Sequence, residues 1–86
     1  DKITYFQGNY ECDFVVQRME DVVELIQVCW DISEKETLKR EIRGLLEASK
    51  ITNCDNLNII TIEEERTIQI EEKMINIIPA WKWMMQ

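Results

Sequence analysis

The chain has 86 residues, of which 45% are hydrophobic and 31% are charged, and its formal net charge is −7. This length and composition predict one globular domain and argue against a disordered segment. The negative charge argues against tight non-specific binding to nucleic acid and against binding to an anionic membrane surface.

Alternating hydrophobicity and turn signals predict three strands in the first third of the chain. ITYFQ (3–7) and the alternating YECDFVVQ (10–17) flank a Gly8-Asn9 turn signal, a pattern typical of a hairpin. A turn without glycine then leads into VVELIQVCW (22–30). Because this segment is apolar on both faces, it predicts a central strand of a sheet that is covered on both sides.

The middle of the chain predicts a helix followed by a strand. The capping box from Ser33 to Glu36 favours a helix start at this point, and we expect the helix to end near Ser49 or Lys50. An apolar stripe along this helix would pack on the sheet, formed by Leu38, Ile42, Leu45 and Leu46. LNIITI (57–62) predicts the next strand, and the strand–helix–strand order favours a parallel βαβ crossover.

The last third predicts two more strands and a short helix. TIQIEE (67–72) and KMINIIP (73–79) alternate in hydrophobicity and meet at a turn at Glu71-Glu72. Pro79 suits the start of a final helix. The predicted order is β-β-β-α-β-β-β-α, so the fold class is α/β, a mixed β-sheet with flanking helices.

Four side chains with functional chemistry are expected to share one face of this sheet. Glu11 has the parity of Asp13, and Gln27 has the parity of Cys29, so antiparallel pairing of the second and third strands can bring all four together. In such an arrangement, an acid on one strand and a Glu-x-Lys sequence on the next would bind a divalent metal through their carboxylates. The lysine would supply a positive charge beside the metal. Carboxylate oxygens suit Mg²⁺, and the lysine would orient the attacking water and stabilise charge on a phosphate.

Five segments occur in an order that resembles a known module: ECDFVV, ELIQVCWDIS, TLKREIRGLLEA, NLNIITI and IIPAWKWMM. They resemble the C-terminal, restriction-endonuclease-like domain of prokaryotic AAA-type ATPases, a domain catalogued as being of unknown function. The resemblance covers 5–85 and implies a PD-(D/E)xK-type nuclease fold with an αβββαβ core. It implies that 1–86 is a single nuclease-like domain, a fragment of a longer ATPase chain, without the N-terminal core helix that would precede ITYFQ.

The missing helix would leave one face of the sheet partly uncovered. Exposed apolar patches favour association. We therefore expect a homo-oligomer, such as a homodimer, or an interface with the ATPase module of the same chain.

The resemblance places two of the three catalytic positions on residues that lack the required charges. Asp13 stands at the metal-binding Asp, Gln27 at the acid of Glu-x-Lys and Cys29 at the lysine. A glutamine supplies no charge and a thiol cannot replace an ammonium group, so the set Asp13, Gln27 and Cys29 argues against an enzyme. The alternative is a weak nuclease with Mg²⁺ or Mn²⁺ at Glu11, Asp13 and Gln27. Its cation would come from the adjacent helix, from Lys35, Lys39, Arg40 or Arg43.

Each of these residues also has a structural interpretation. The two acids would be solvent-facing strand residues, Gln27 a core amide bonded to backbone or to a tyrosine hydroxyl, and Cys29 a packed thiol. Trp81 and Trp83 would belong to a helix face that closes the core, or would form a partner-binding surface, since Trp is enriched at interface hot spots.

The cysteine pattern indicates the redox compartment, and the absence of histidine excludes several kinds of metal and catalytic site. Cys12, Cys29 and Cys54 are odd in number and form no C-x-x-C, which favours free thiols in a reducing, cytoplasmic setting. Histidine is absent, so histidine metal ligands and Ser-His-Asp or Cys-His catalysis are excluded. No segment reaches about 18 consecutive apolar residues, so we expect no membrane association.

The main prediction from the sequence is a non-catalytic, nuclease-like docking domain of a prokaryotic ATP-binding protein. It would act through protein–protein or interdomain contacts and would need no cofactor. Nucleic acid would be a weak partner. The alternatives are the weak metal-dependent nuclease and a structural oligomerisation module.

Overall fold

The elements follow one another in the predicted order. The computed structural model describes residues 3–6 and 12–85, and the predicted Gly8-Asn9 turn lies outside the described residues. The elements are β1 (Ile3–Phe6), β2 (Phe14–Arg18), β3 (Asp21–Val28), α1 (Lys35–Thr52), β4 (Leu57–Thr61), β5 (Arg66–Ile70), β6 (Lys73–Pro79) and α2 (Ala80–Trp83). The α/β class is therefore confirmed.

The six strands form one mixed sheet in the order β1-β2-β3-β4-β6-β5. The pairs β1–β2, β2–β3 and β5–β6 are antiparallel, and β3–β4 and β4–β6 are parallel. The predicted parallel pairing of β3 and β4 is confirmed, and α1 supplies the long connection that a parallel pair needs. β4 lies inside the sheet and is buried along its whole length, which suits its three aliphatic residues Leu57, Ile59 and Ile60.

The two helices cover opposite faces of the sheet. Because side chains alternate along a strand, Leu25 faces α1 and Ile26 faces α2. The main core lies under α1 and includes Leu45 of the helix with Leu25, Leu57, Ile59, Ile75 and Ile77 of the sheet. A smaller core of Val16, Ile26 and Ile60 lies on the α2 side, where Trp83 packs against it. With four residues, α2 covers less of the sheet than α1 with 18.

Both ends of α1 differ from the sequence prediction. The capping box is wrong: Glu34 is the N-cap, without a side-chain capping bond. The Ser33 backbone N–H instead donates to Asp31 Oδ1 at 2.9 Å. Aspartate side chains commonly accept the backbone N–H two residues further along the chain in this way. The helix continues to Thr52 and ends where Asn53 turns left-handed at φ 58°, with its N–H donated to the Ser49 carbonyl.

Two turns use the left-handed region without glycine. Met19, between β2 and β3, has φ 59°, and Glu71, between β5 and β6, has φ 57°. The predicted turn at Glu71-Glu72 is confirmed. The left-handed conformation of a non-glycine residue costs about 1 kcal/mol or more, so each turn is held by the pairing of its flanking strands. Within 12–85, no helix is long and apolar enough to cross a membrane.

Candidate functional site

Asp13 and Gln27 lie together on adjacent strands. β2 and β3 pair antiparallel with Phe14 opposite Ile26, which sets the residue before β2 beside the end of β3. The Asp13 backbone N–H donates to Gln27 Oε1 at 2.7 Å. Asp13 Oδ2 accepts the backbone N–H of Val28 at 2.8 Å. The approach of Asp13 to Gln27, expected from parity, is therefore present in the fold.

Gln27 also reaches the helix on its own side of the sheet. Its Nε2 donates to the backbone carbonyl of Glu41 at 3.3 Å. The side chain is 3% exposed, so both ends of the amide are engaged where water has almost no access. Gln27 thus links the start of β2, the end of β3 and the middle of α1. These contacts match its interpretation as a core amide bonded to backbone.

A polar cavity of about 290 Å³ opens at this link. Its lining is Asp13, Gln27, Arg40, Glu41 and Arg43. Of the four helix cations considered from the sequence, Arg40 and Arg43 reach this cavity. Lys39 instead pairs with Glu36 at 3.9 Å on the exposed side of the helix.

Glu41 is the residue of this cavity that sequence reasoning missed. Burial raises the pKa of its carboxyl, and the negative charge of Asp13 raises it further, while Arg40 at 4.0 Å lowers it. Its spacing along the predicted helix could have indicated that Glu41 lies near the sheet. Glu41 stands three residues after Leu38 and four before Leu45, so it borders the apolar stripe that packs on the sheet.

Cys29 lies apart from this cavity. Its thiol donates to the Asp31 carbonyl at 3.4 Å, and its side chain packs against the main core. Burial raises the pKa of this thiol above the ordinary value of 9.0, which keeps it neutral. Cys12, Cys29 and Cys54 are free thiols, as predicted. Glu11 lies outside the described residues, so its predicted place beside Asp13 stays a prediction.

The donors around Asp13 fit a divalent metal poorly. Mg²⁺ needs several anionic or carbonyl oxygens in near-octahedral arrangement. One Asp13 oxygen accepts the Val28 N–H, and Gln27 Oε1 accepts the Asp13 N–H. Within 12–85, no group of three or more Cys, Asp or Glu side chains is placed to hold a metal ion.

The opposite face of the sheet carries an apolar groove of about 560 Å³, called here the α2-side groove. Its apolar walls include Phe14, Trp30, Trp83 and Met84, and Asp13 stands at its border. Trp30 is 57% exposed and Met84 is 70% exposed, so much of this wall faces solvent.

The two tryptophans of α2 have different roles in the fold. Trp83 is half-buried on the small core, whereas Trp81 is 59% exposed. The helix-face interpretation therefore describes Trp83, and the partner-binding role of Trp81 and Trp83 stays a prediction.

A partly buried polar network holds α2 on the sheet. The Trp83 indole donates to the Glu24 carboxylate, which also accepts Asn58 Nδ2 at 2.8 Å. Asn76 Nδ2 then donates to Asn58 Oδ1 at 3.3 Å. Burial raises the pKa of Glu24, and the bond from Trp83 partly offsets that effect. The position of α2, and with it one wall of the α2-side groove, thus depends on side chains of β3, β4 and β6.

Comparison with known proteins found a relative of much greater length. The chain is 40% identical over 81 residues to an uncharacterized protein of Methanocaldococcus jannaschii, and the match covers 87% of this chain. It covers 18% of the relative, so the chain spans less than a fifth of that protein's length. No family model and no solved structure matches the chain.

Proposed function

We propose that the chain is a non-catalytic, nuclease-like accessory domain of a longer prokaryotic ATP-binding polypeptide, and that it docks against another part of that polypeptide. The bonding of Gln27 carries the first half of this proposal. Its carbonyl oxygen accepts the Asp13 N–H at 2.7 Å, and its amide nitrogen donates to the Glu41 carbonyl at 3.3 Å. A metal would have to share this carbonyl oxygen with the Asp13 N–H, and the bond from the amide nitrogen to α1 fixes the direction in which the oxygen points.

The charges expected of a nuclease are also missing from the positions that the resemblance assigns. Cys29 is a neutral thiol outside the polar cavity, and Asp13 is bonded to the Val28 backbone. Without an ammonium group and a second ionised oxygen ligand, the stabilisation of charge on a phosphate is weak.

The α2-side groove supports the second half of the proposal. Exposed apolar surface of this kind marks an interaction site in a soluble protein. The relative extends far beyond the matched part, since the match covers 18% of it, so a partner segment in the same polypeptide is a direct source for an occupant. The three free thiols, of which Cys12 and Cys54 are buried, support a cytoplasmic setting for this assembly.

Two measurements test this function. The first incubates the chain with plasmid DNA and Mn²⁺ beside Asp13→Ala, and we expect no cutting by either protein. Cutting by the parent chain that disappears in Asp13→Ala would overturn the non-catalytic assignment, whereas equal cutting would identify a contaminating nuclease.

The second measurement compares methionine oxidation by peroxide in this chain and in the complete polypeptide. Met84 of the α2-side groove is 70% exposed, and Met19, at the β2–β3 turn, is 78% exposed and serves as the internal control. Docking predicts that Met84 is protected in the complete polypeptide while Met19 is oxidised equally in both. Equal oxidation of Met84 in the two forms would refute interdomain docking. A dimer by light scattering that Met84→Gln abolishes would favour the oligomerisation module instead.

A weak metal-dependent nuclease is the second candidate, and the polar cavity is the observation that favours it. Arg40, Arg43 and Glu41 bring two cations and an acid from α1 to Asp13. Under this alternative, Mn²⁺-dependent cutting would fall in Arg43→Gln as well as in Asp13→Ala. Arg18→Gln, a matched change at the exposed end of β2, would keep it.

A further inference from the structure

We infer that the α2-side groove takes an amphipathic helix that carries lysine or arginine beside its apolar stripe, and that this helix belongs to the same polypeptide. This inference rests on the docking function proposed above. It adds the charge of the occupant and the end of the groove at which that charge lies.

The lining of the α2-side groove favours an occupant with apolar side chains. It is concave and walled by Phe14, Ile26, Trp30 and Met84, with a single charged residue, Asp13, at its border. Helices that lie in such grooves insert apolar residues spaced three and four positions apart. An apolar stripe is therefore the first requirement on the occupant.

An acidic cavity continues the groove beyond Trp30. Trp30 lines the groove and also this second cavity, which has a volume of about 520 Å³. Asp31, Glu63 and Glu64 line the second cavity. It lies past the ends of β3 and β4, where the Ile62 N–H donates to the Trp30 carbonyl at 3.3 Å and holds the two loops together.

Only one of the three acidic residues that line this cavity forms an ion pair among the described residues. Glu64 pairs with Arg66 at 2.7 Å, but within 12–85 neither Asp31 nor Glu63 forms an ion pair. No lysine or arginine among the described residues lines either cavity. A helix that crosses Trp30 would thus bring its polar side next to carboxylates that form no ion pair, where basic residues are favoured and acidic residues are repelled.

The same charges disfavour a second copy of this chain as the occupant. Each copy carries a net charge of −7, so two copies repel each other. The long helix α1 also faces solvent with charged side chains, among them Lys39, Arg40 and Arg43, and it has no free apolar stripe to offer. The relative, of which the match covers 18%, points to other segments of one long polypeptide.

The experiment uses two designed peptides of about 15 residues, long enough to form a helix. One places Lys and the other places Glu beside an identical Leu stripe. Binding to the chain is followed by tryptophan fluorescence. We expect the Leu/Lys peptide to bind about tenfold tighter than the Leu/Glu peptide at about 0.1 M salt, and most of the difference to vanish at about 1 M salt.

Matched variants locate the effect. Glu63→Lys is expected to weaken the Leu/Lys peptide several-fold, whereas Glu72→Lys, the same charge change at the opposite end of the sheet, leaves its affinity within about twofold. Met84→Gln weakens both peptides, while Ile51→Gln, on the exposed end of α1, weakens neither. Equal loss in Glu63→Lys and Glu72→Lys would overturn the assignment of charge to this end of the groove.

The remaining outcomes separate this inference from the docking function. Equal affinity for the two peptides at low salt overturns the basic occupant, while protection of Met84 in the complete polypeptide would still support docking. If the Leu/Lys peptide binds the complete polypeptide as tightly as this chain, the groove is open there and the occupant is not in the same polypeptide. Binding to this chain and exclusion from the complete polypeptide is the expected result.

Discussion

Replacing Gln27 by glutamate separates a structural link from a degenerate metal ligand. Gln27→Glu preserves the shape of the side chain, and one carboxyl oxygen can still accept the Asp13 N–H. The other oxygen would face the Glu41 carbonyl, to which Gln27 Nε2 donates at 3.3 Å. A protonated carboxyl can donate this bond and an ionised one cannot, so the variant should be stable at acidic pH and lose stability as the pH rises.

Burial and neighbouring charges set the size of this effect. Gln27 is 3% exposed and shares its cavity with two acids, Asp13 and Glu41, and two cations, Arg40 and Arg43. Full burial raises a carboxyl pKa by up to about 3–5 units, and the guanidinium groups reduce that shift, so we expect about 2 units or roughly 2.7 kcal/mol. The raised pKa belongs to the folded state. The penalty is therefore absent below the unfolded pKa of about 4.3, grows as the pH rises, and is complete above the folded pKa.

Urea unfolding between about pH 4 and pH 8 measures this penalty, with fluorescence of the three tryptophans as the signal. Gln69→Glu is the matched control, because Gln69 is exposed on β5 and its change should shift the unfolding free energy by less than about 0.5 kcal/mol. If Gln27→Glu follows the control at every pH, the amide is not a link between sheet and helix. The metal-ligand interpretation would then regain its support.

Three further variants probe the core, a turn and the polar cavity. Leu45→Ala, at a position with 0% exposure, should lower the free energy of unfolding in urea by about 2–5 kcal/mol, whereas exposed Ile51→Ala on the same helix should change it by less than about 0.5 kcal/mol. Glu71→Asn should raise it by about 0.5 kcal/mol, because asparagine tolerates the left-handed φ of 57° better, and an unchanged melting temperature would contradict that reason. Burial, and then the charge of Asp13, raise the pKa of Glu41, so the parent loses stability as the pH rises above the ordinary value of 4.5. The stability of Glu41→Gln relative to the parent should therefore increase between acidic and neutral pH, and a difference independent of pH would refute this account.

Local patterns were enough to predict the elements and their order. Alternation along β2, β5 and β6, and the stripe through Ile42 and Leu45, are properties of neighbouring residues, so they are readable without the fold. The parallel pairing of β3 and β4 followed from the length of the connection between them. The predicted start of α1 was wrong because two local interactions compete for the Ser33 N–H. A capping box gives it to the Glu36 side chain, whereas in the fold it donates to the Asp31 carboxylate.

Parity also predicted that Asp13 would approach Gln27, because the face of each side chain depends only on its position along a strand. What the glutamine does there was decided by the tertiary structure. Its second partner is the Glu41 carbonyl, 14 residues away, and the approach of a helix to a sheet is not encoded in either segment alone.

The sequence by itself thus determined the elements, the sheet faces and the missing charges at Gln27 and Cys29. The packing of α1 decided that Gln27 is a link, that Glu41 and Arg43 join its cavity, and that Cys29 lies apart from it. The short α2 decided that an apolar groove stays open on the other face. Periodicity reports which face a side chain takes, whereas the neighbour it meets depends on how distant elements dock, and that is a property of the whole fold.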